Sequence, residues 1–398
     1  MLAWGGRGSA TFPHVKLALI RRHYSATGGA ELYLQRLLGG LAAAGHELHL
    51  FSESWGEPPP GVQPHPVTCN ASRADRPAAF ARAVREAVAR DRFDCIFSLE
   101  RTVHQDVYRA GDGVHRVWLE QRRRFAPWWR RPFVGWGAFH RNMLALEALT
   151  FDPAHTGRII VNSQMVRREI LKHFRFPADR IHLVRNGVDV DRFRGGDRAA
   201  TRKRFGFREE DFVLLFVGSG WERKGLRYVM QAVDRFGVRQ GVEILESEWR
   251  GEGRPPGRAA RSNIKLLVVG KGRNPYLTSR DFVFAGAMSG VEDAYAAADL
   301  FVFLPIYEPS ANVVVEALAA GLPVITSAQN GASELIQHGV NGTVLPDPSD
   351  IDAAVEAITF WCSQRFMAHP LDPEPLRLER NVAETIQILE QAARERRA

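Results

Sequence analysis

Short apolar runs alternate with amphipathic stretches along most of this 398-residue chain. Continuous apolar runs bounded by glycine and polar turns predict buried parallel strands, and a helical repeat between them predicts covering helices. Residues 15–20 read as the opening strand, 32–44 as a helix stopped by Gly45, and 46–51 as the second strand. A helix over 78–90 and a strand over 95–99 follow. Strand 158–161 leads into Asn162-Ser163, a cap for a helix ending near Phe174, and 181–184 closes this half.

The second half repeats the pattern. Strands are expected at 212–217, 264–269, 282–284, 300–304 and 343–345, with helices over 291–298, beyond Glu308, beyond Asp350 and over 381–397. Asn186-Gly187 marks a turn, the polar and basic stretch 194–210 reads as a hinge, and the Gly-, Arg- and Pro-rich part of 241–262 reads as an exposed loop. From Gly272 to the strand at Phe282 the path is too short for a full helix. The expected layout is a disordered extension over 1–13, an α/β domain over 14–194, a second over 195–370, and a terminal helix in 371–398 that crosses back to the first.

One stretch concentrates the chemistry. Glu308 falls in the loop after strand 300–304, and Glu316 falls near the first turn of a helix that Ser310 or Asn312 caps and Gly321 with Pro323 ends. Helical side chains lean toward the N-terminus, so Glu316 tilts back toward Glu308. The amides of Ala311, Asn312 and Val313 at the helix start offer a seat for phosphate. Two carboxylates beside an anion seat suit a ligand with hydroxyls at one end and a diphosphate in the middle, a nucleotide sugar. A solvated helix glutamate and a surface loop glutamate are the plain alternative. The apolar neighbours Val313, Val314, Val315, Ala317 and Leu318 argue against it, since a buried carboxylate is costly without partners.

Other loops add to this. Gly218-Ser219-Gly-Trp-Glu-Arg223-Lys224-Gly225 follows strand 212–217 and sets two cations at a helix start, where they oppose the helix dipole unless an anion binds. Gly28-Gly29, after the first strand, permits close backbone approach to an anion and equally suits a plain tight turn. Asp112, between Gly111 and Gly113, has room to approach a hydroxyl or to bond its own backbone. His104 and His115 compete with it. Asp189 and Asp191 lie in a connector and are not read as a metal site.

Composition narrows the class. Hydrophobic residues make up 45% and charged residues 25%, ordinary for a globular protein, and no apolar run reaches the ~20 residues of a spanning helix. Three scattered cysteines form neither a metal pair nor a disulfide framework, which suits a reducing cytoplasm. A net charge of +8 calls for an anionic partner.

Glu308-x7-Glu316, the following Ala-Leu-Ala-Ala-Gly-Leu-Pro-Val-Ile-Thr326, Gly331-Ala-Ser-Glu334 and Asn341-Gly342 resemble the signature of retaining glycosyltransferases of the family 4 type, and within it the lipopolysaccharide core glucosyltransferases. Asn186-Gly-Val-Asp through Phe193 resembles a further family motif. The resemblance implies the GT-B architecture, two facing Rossmann-like domains with a deep cleft. It implies transfer of a hexose, glucose from a UDP-sugar, to a glycolipid or lipopolysaccharide-core acceptor. It places Glu316 on the nucleotide ribose and Glu308 on the donor sugar. Arg223, Lys224, Gly28 and Gly29 fall near the diphosphate, with Gly218 and Ser219 in the same loop, and Asp112 falls toward the acceptor. No metal or other cofactor is expected.

Residues 115–142 hold seven arginines against one acid, Glu120, with Trp118, Phe125, Trp128, Trp129, Phe133, Trp136 and Phe139 between them. Arginine interleaved with tryptophan fits docking on an anionic membrane. At about 1 kcal/mol per basic residue the upper bound is roughly 6 kcal/mol, enough for reversible docking. The expected contacts are Arg122, Arg123, Arg124, Trp128, Trp129, Arg130 and Arg131, on the inner face of the cytoplasmic membrane. A buried aromatic cluster with an arginine rim is the bland reading. Nucleic acid is not expected as a partner, because no RNA-binding signature accompanies the patch. A catalytically silent nucleotide-sugar or lipid-binding protein stands as the alternative function, beside a transferase for another cell-surface glycan.

Overall fold

The structure is a computed structural model that describes residues 14–24, 29–55, 60–248, 263–272, 279, 281–365, 372 and 374–397. Contacts divide the chain into two units. One runs to Leu119 and takes in Pro132–Arg185 and the terminal helix from Leu378; the other holds Glu120–Arg131 and Asn186–Arg377. The expectation for 1–13 lies outside the described residues.

In the first unit, β1 (Lys16–Ile20), β2 (His23–Tyr24), α1 (Gly29–Ala43), β3 (Glu47–Ser52), β4 (Ser54–Trp55) and β5 (Val62–Pro66) come first. Next are α2 (Arg76–Val88), β6 (Cys95–Ser98), β7 (Gln105–Arg109), α3 (His115–Arg124, of which His115–Leu119 belong to this unit), α4 (Ala138–Thr150), β8 (Thr156–Val161), α5 (Gln164–His173) and β9 (Ile181–Leu183). Seven strands form one parallel sheet in the order β5-β3-β1-β6-β7-β8-β9. Being covered on both faces, its central strands are apolar throughout, and Leu17, Leu19, Leu48, Leu50 and Phe97 are fully buried. Ser163 caps α5 by accepting from the Val166 amide, as the sequence predicts.

The second unit contains α6 (Val190–Arg194), α7 (Arg198–Phe205), β10 (Phe212–Val217), α8 (Trp221–Lys224), α9 (Leu226–Glu248), β11 (Ile264–Val269) and β12 (Phe282–Gly286). It continues with α10 (Val291–Ala297), β13 (Leu300–Phe303), α11 (Asn312–Ala319), β14 (Val324–Ser327), β15 (Gly342–Leu345) and α12 (Ile351–Ser363). The parallel order β12-β11-β10-β13-β14-β15 puts a reversal of winding between β10 and β13. Loops leaving the carboxyl ends of these two strands flank the crevice where open α/β sheets bind ligands.

The last helix, α13 (Leu378–Arg397), packs in the first unit, where Val382, Leu389 and Ala393 join Leu34, Leu37 and Leu41 of α1 in one core. Each large apolar side chain buried there contributes about 1.5–3 kcal/mol. Buried His46 and Glu390 meet at 3.2 Å beside it.

Three expectations are corrected. Residues 194–210 do not form a free hinge. They include α7, whose Arg202 is buried and donates to the Ala297, Arg208 and Asp211 carbonyls. The sequence displays the positive charges there but not the Asp299 carboxylate and helix-end carbonyls that absorb them. The unit boundary accordingly falls at Asn186 rather than after 194. Helix α9 extends through Glu248, so the first part of the expected loop 241–262 is helical, and the remainder lies outside the described residues.

Candidate active site

The site in the second unit is built by three interlocking turns. The Gly225 backbone (φ +74°) packs so closely on the loop after β13 that a Cβ there would lie 1.7 Å from the Leu304 carbonyl oxygen. The Ile306 amide donates to the Arg223 carbonyl at 3.0 Å, and the Glu308 amide to the Gln329 carbonyl at 2.9 Å. The Gly331 amide donates back to the Glu308 carbonyl at 2.9 Å, so the backbone at Glu308 is held on both sides.

These turns fix the charged groups. Arg223 Nη1 donates to Glu308 Oε2 at 2.5 Å and to the Tyr307 carbonyl at 3.2 Å. The Lys224 side chain runs back under Gly218 (φ +151°), where a Cβ would meet its Cδ at 2.7 Å and its Nζ at 2.8 Å. The φ there suits glycine, and the lysine stem occupies the space a side chain would take. Burial pushes the Lys224 ammonium pKa down, neighbouring Arg223 adds to that, and Glu308 and Glu316 oppose it.

Glu316 is in the second turn of α11 rather than the first. Its Oε2 accepts a 2.7 Å hydrogen bond from the hydroxyl of Tyr295, a buried side chain on α10. Burial raises the Glu316 pKa above the ordinary carboxylate value, with the Tyr295 bond, Arg192 and Lys224 opposing.

The start of α11 differs from expectation. Neither Ser310 nor Asn312 caps it; Ala311 is the N-cap, and its amide donates to Asn330 Oδ1 at 3.1 Å. The Ala311 amide is thus already engaged, while no hydrogen bond among the described residues takes the Asn312 or Val313 amide. Asn312 Oδ1 instead accepts from Asn186 Nδ2 at 2.7 Å, and Asn186 also donates to the Ser310 carbonyl. Asn186, Tyr295 and Asn330 are supports that sequence reasoning missed. Only Asn186 had a signal, its place in the Asn-Gly motif. Ser219 stands exposed in the same cluster and accepts from the Lys271 amide at 3.0 Å.

In the first unit, Asp112 projects from the turn after β7 with its side chain 76% exposed. Half-buried Arg101 braces that turn, donating to the Gly113 carbonyl at 2.7 Å and lying 3.9 Å from Asp112 Oδ2. Glu147 of α4, fully buried, accepts from the His115 amide at 2.5 Å and the Arg116 amide at 3.1 Å, and so caps α3 from outside. Glu100, after β6, pairs with Arg21 at 3.3 Å; burial raises its pKa and Asp112 raises it further. It is a second carboxylate beside Asp112 that the sequence reading did not single out. His115 follows the Asp112 turn, whereas His104 precedes β7, at the other end of the strand, which removes it as an alternative to Asp112. Gly29 opens α1, and Gly28 lies outside the described residues. Asp189 caps α6 and Asp191 pairs with Arg377 at 3.2 Å, so both are structural.

The basic-aromatic segment is not a buried cluster. Trp128 is 79% and Trp136 74% exposed, and no residue of the turn Trp128–Phe133 is buried. Arg122, Arg123, Arg130 and Arg131 are also exposed, with Arg130 over the Trp129 ring at 4.5 Å. Arg124 is partly spent on Asp347 at 3.0 Å. No helix among the described residues is long and apolar enough to cross a membrane.

Two parallel-sheet Rossmann-like domains, with a cationic turn and a carboxylate pair at the carboxyl ends of one sheet, define a GT-B glycosyltransferase. The family comparisons agree: residues 27–192 match the Glycosyltransferase Family 4 model and 197–381 the Glycosyl transferases group 1 model, and the chain belongs to these glycosyltransferases. It is 26% identical over 341 residues to the lipopolysaccharide glucosyltransferase WaaG of Escherichia coli, covering 82% of this chain and 83% of that protein. The crystal structure of WaaG superposes with a TM-score of 0.69 at 22% identity, over 96% of this chain and 98% of that one. An uncharacterized glycosyltransferase of Methanocaldococcus jannaschii is 27% identical over 222 residues, and the chain spans about half of its length (51%, with 52% of this chain matched). The Anabaena HepE structure in complex with UDP-glucose superposes with a TM-score of 0.64 at 17% identity, over 94% of this chain and all of that one.

Proposed function

We propose that the protein transfers a hexose, glucose from UDP-glucose, to a hydroxyl of a glycolipid or lipopolysaccharide-core acceptor with retention of anomeric configuration. The observation that carries this reading is the bond of Arg223 to Glu308 in the turn whose next residue, Lys224, packs against Gly218, with the Asn312 and Val313 amides, free among the described residues, at the start of α11. The name of the relative WaaG and the UDP-glucose bound to HepE support the choice of sugar and nucleotide.

As the sugar–phosphate bond breaks, negative charge grows on the leaving diphosphate. Arg223, Lys224 and the Asn312 and Val313 amides, fixed beforehand, stabilise that charge more in the transition state than in the ground state. Their cations do this without a divalent metal in the proposed scheme, so EDTA leaves turnover unchanged. Glu316 accepts from the ribose hydroxyls and Glu308 from those of the sugar. Asp112 orients or deprotonates the acceptor hydroxyl, which attacks from the face the diphosphate leaves.

The exposed tryptophans and arginines of the 122–131 segment dock the enzyme reversibly on an anionic leaflet, where a lipid-linked acceptor is found. Serine at Trp128 and Trp129 together lowers binding to phosphatidylglycerol vesicles at least tenfold in co-sedimentation; unchanged binding removes the docking role.

Thermal-shift screening against UDP-, GDP- and ADP-sugars, followed by transfer of labelled sugar to a truncated lipopolysaccharide, tests the function. Stabilisation by UDP-glucose with labelled lipid product supports it. Stabilisation without product over many hours establishes a silent binding protein instead.

A further inference from the structure

The first unit holds a cavity of about 460 Å³ away from the proposed chemistry. It opens beside the amino ends of β6 and β7, whereas Asp112 follows the carboxyl end of β7. Part of its wall is apolar: Val84 and Val88 of α2, Ile20 and Ile96 of the sheet, with Phe93 and Pro153. That volume is within the range of small-molecule pockets, which are mostly apolar with a few convergent polar groups.

The polar part of the lining carries both signs: Arg85, Arg396, His104 and His155 beside Asp91 and Asp106. His104 and His155 meet edge to face with ring centroids 4.7 Å apart, and the exposed Arg85 reaches the rim from α2. Both acids on the wall are already engaged. Asp91 pairs with Lys16 at 2.5 Å, while Asp106 accepts from the Ile96 amide at 2.7 Å and pairs with Arg396. Among the described residues, what remains for a ligand is donor capacity: two imidazoles and a guanidinium. Burial, then His155 and Arg85, hold the His104 pKa below its ordinary value, and an anion bound among these groups opposes that shift.

Two further features point the same way. His155 Nδ1 is buried with no hydrogen-bond partner among the described residues, a cost that folded proteins seldom leave without use. His104 is the one non-glycine residue described with a positive φ, +63°, a strained conformation that clusters at ligand sites.

We infer that this cavity is a second ligand site, taking a small anion, a phosphate or carboxylate, attached to an apolar body: the anion on His104, His155 and Arg85, the body against Val84, Val88 and Ile96.

The test uses the full chain and calorimetric titration with phenyl phosphate, with inorganic phosphate and benzyl alcohol as partial probes. Saturable binding of phenyl phosphate, at least tenfold tighter than either partial probe, is expected. His104→Gly removes the imidazole while relieving the left-handed backbone. Its melting temperature holds or rises while phenyl phosphate affinity falls at least tenfold, and its UDP-glucose shift stays that of the wild type. Ala154→Trp, at the mouth, blocks the probe without touching the donor site. No saturable binding to the wild type overturns the proposal, as does equal affinity in both variants. Inorganic phosphate binding as tightly as phenyl phosphate overturns the apolar half of the assignment. Phenyl phosphate displaced by UDP-glucose shows that it occupied the donor site, and overturns the proposal as well.

Discussion

Arg223 Nη1 and Glu308 Oε2 lie 2.5 Å apart, so the guanidinium proposed to hold a diphosphate is bonded to the carboxylate proposed to hold the sugar. In the proposed scheme, donor binding exchanges one partner for the other: diphosphate draws Arg223 away and leaves Glu308 to accept from sugar hydroxyls.

Glu308→Gln separates those two roles. Without the carboxylate, Arg223 is available to phosphate, and UDP binds severalfold more tightly by calorimetry. Glucose transfer falls at least tenfold, a loss of about 1.4 kcal/mol or more of transition-state stabilisation. Loss of UDP affinity in this variant contradicts the exchange.

Lys224→Ala lowers transfer at least tenfold, mainly in kcat, because the cation acts where charge develops. Lys224→Arg does not restore it. The lysine stem already fills the space over Gly218, where its Nζ lies 2.8 Å from a Cβ position, and a guanidinium is larger. Activity near wild type in the alanine variant removes Lys224 from the mechanism.

Tyr295→Phe deletes the hydroxyl that donates to Glu316 Oε2 and also reaches the Val313 carbonyl, and it leaves the rest of the packing. A half-buried carboxylate that loses a hydrogen bond pays about 1–3 kcal/mol. Steady-state kinetics therefore show a donor KM raised severalfold with kcat less affected. An unchanged KM contradicts the role given to this bond.

His115 sets a pH dependence of stability. Burial, Arg101 and His140 push its pKa down to about 4 from 6.5, and its Nε2 lies 3.1 Å from His140 Nδ1. Between these values the unfolded chain binds a proton that the folded chain does not. This contribution is therefore intact above pH 6.5 and is lost as the pH falls toward 4. Urea unfolding at pH 7.5 and pH 5 shows a smaller loss in His115→Gln than in wild type. Equal losses in both proteins contradict the assignment.

Much of the site was legible because its chemistry is local in sequence. Glu308 and Glu316 share one loop and helix, and Gly218 to Gly225 is one turn, so spacing alone put carboxylates and cations at strand ends. The supports were not legible. Tyr295 reaches Glu316 from another helix, Asn330 takes the Ala311 amide from another loop, and Asn186 reaches Asn312 across 126 positions of chain. Glu147 caps α3 from α4 in the same way.

Hydrophobic patterning by itself determined the alternation of strands and helices, because burial of parallel strands on both faces leaves continuous apolar runs. Glycine placement determined the turns. Strand order, the partners of Arg202 in the supposed hinge, the exchange pair Arg223–Glu308 and the cavity under α2 were decided only by tertiary structure. Each depends on groups brought together from distant positions, and a residue's own neighbours along the chain carry no record of which charge or wall will face it.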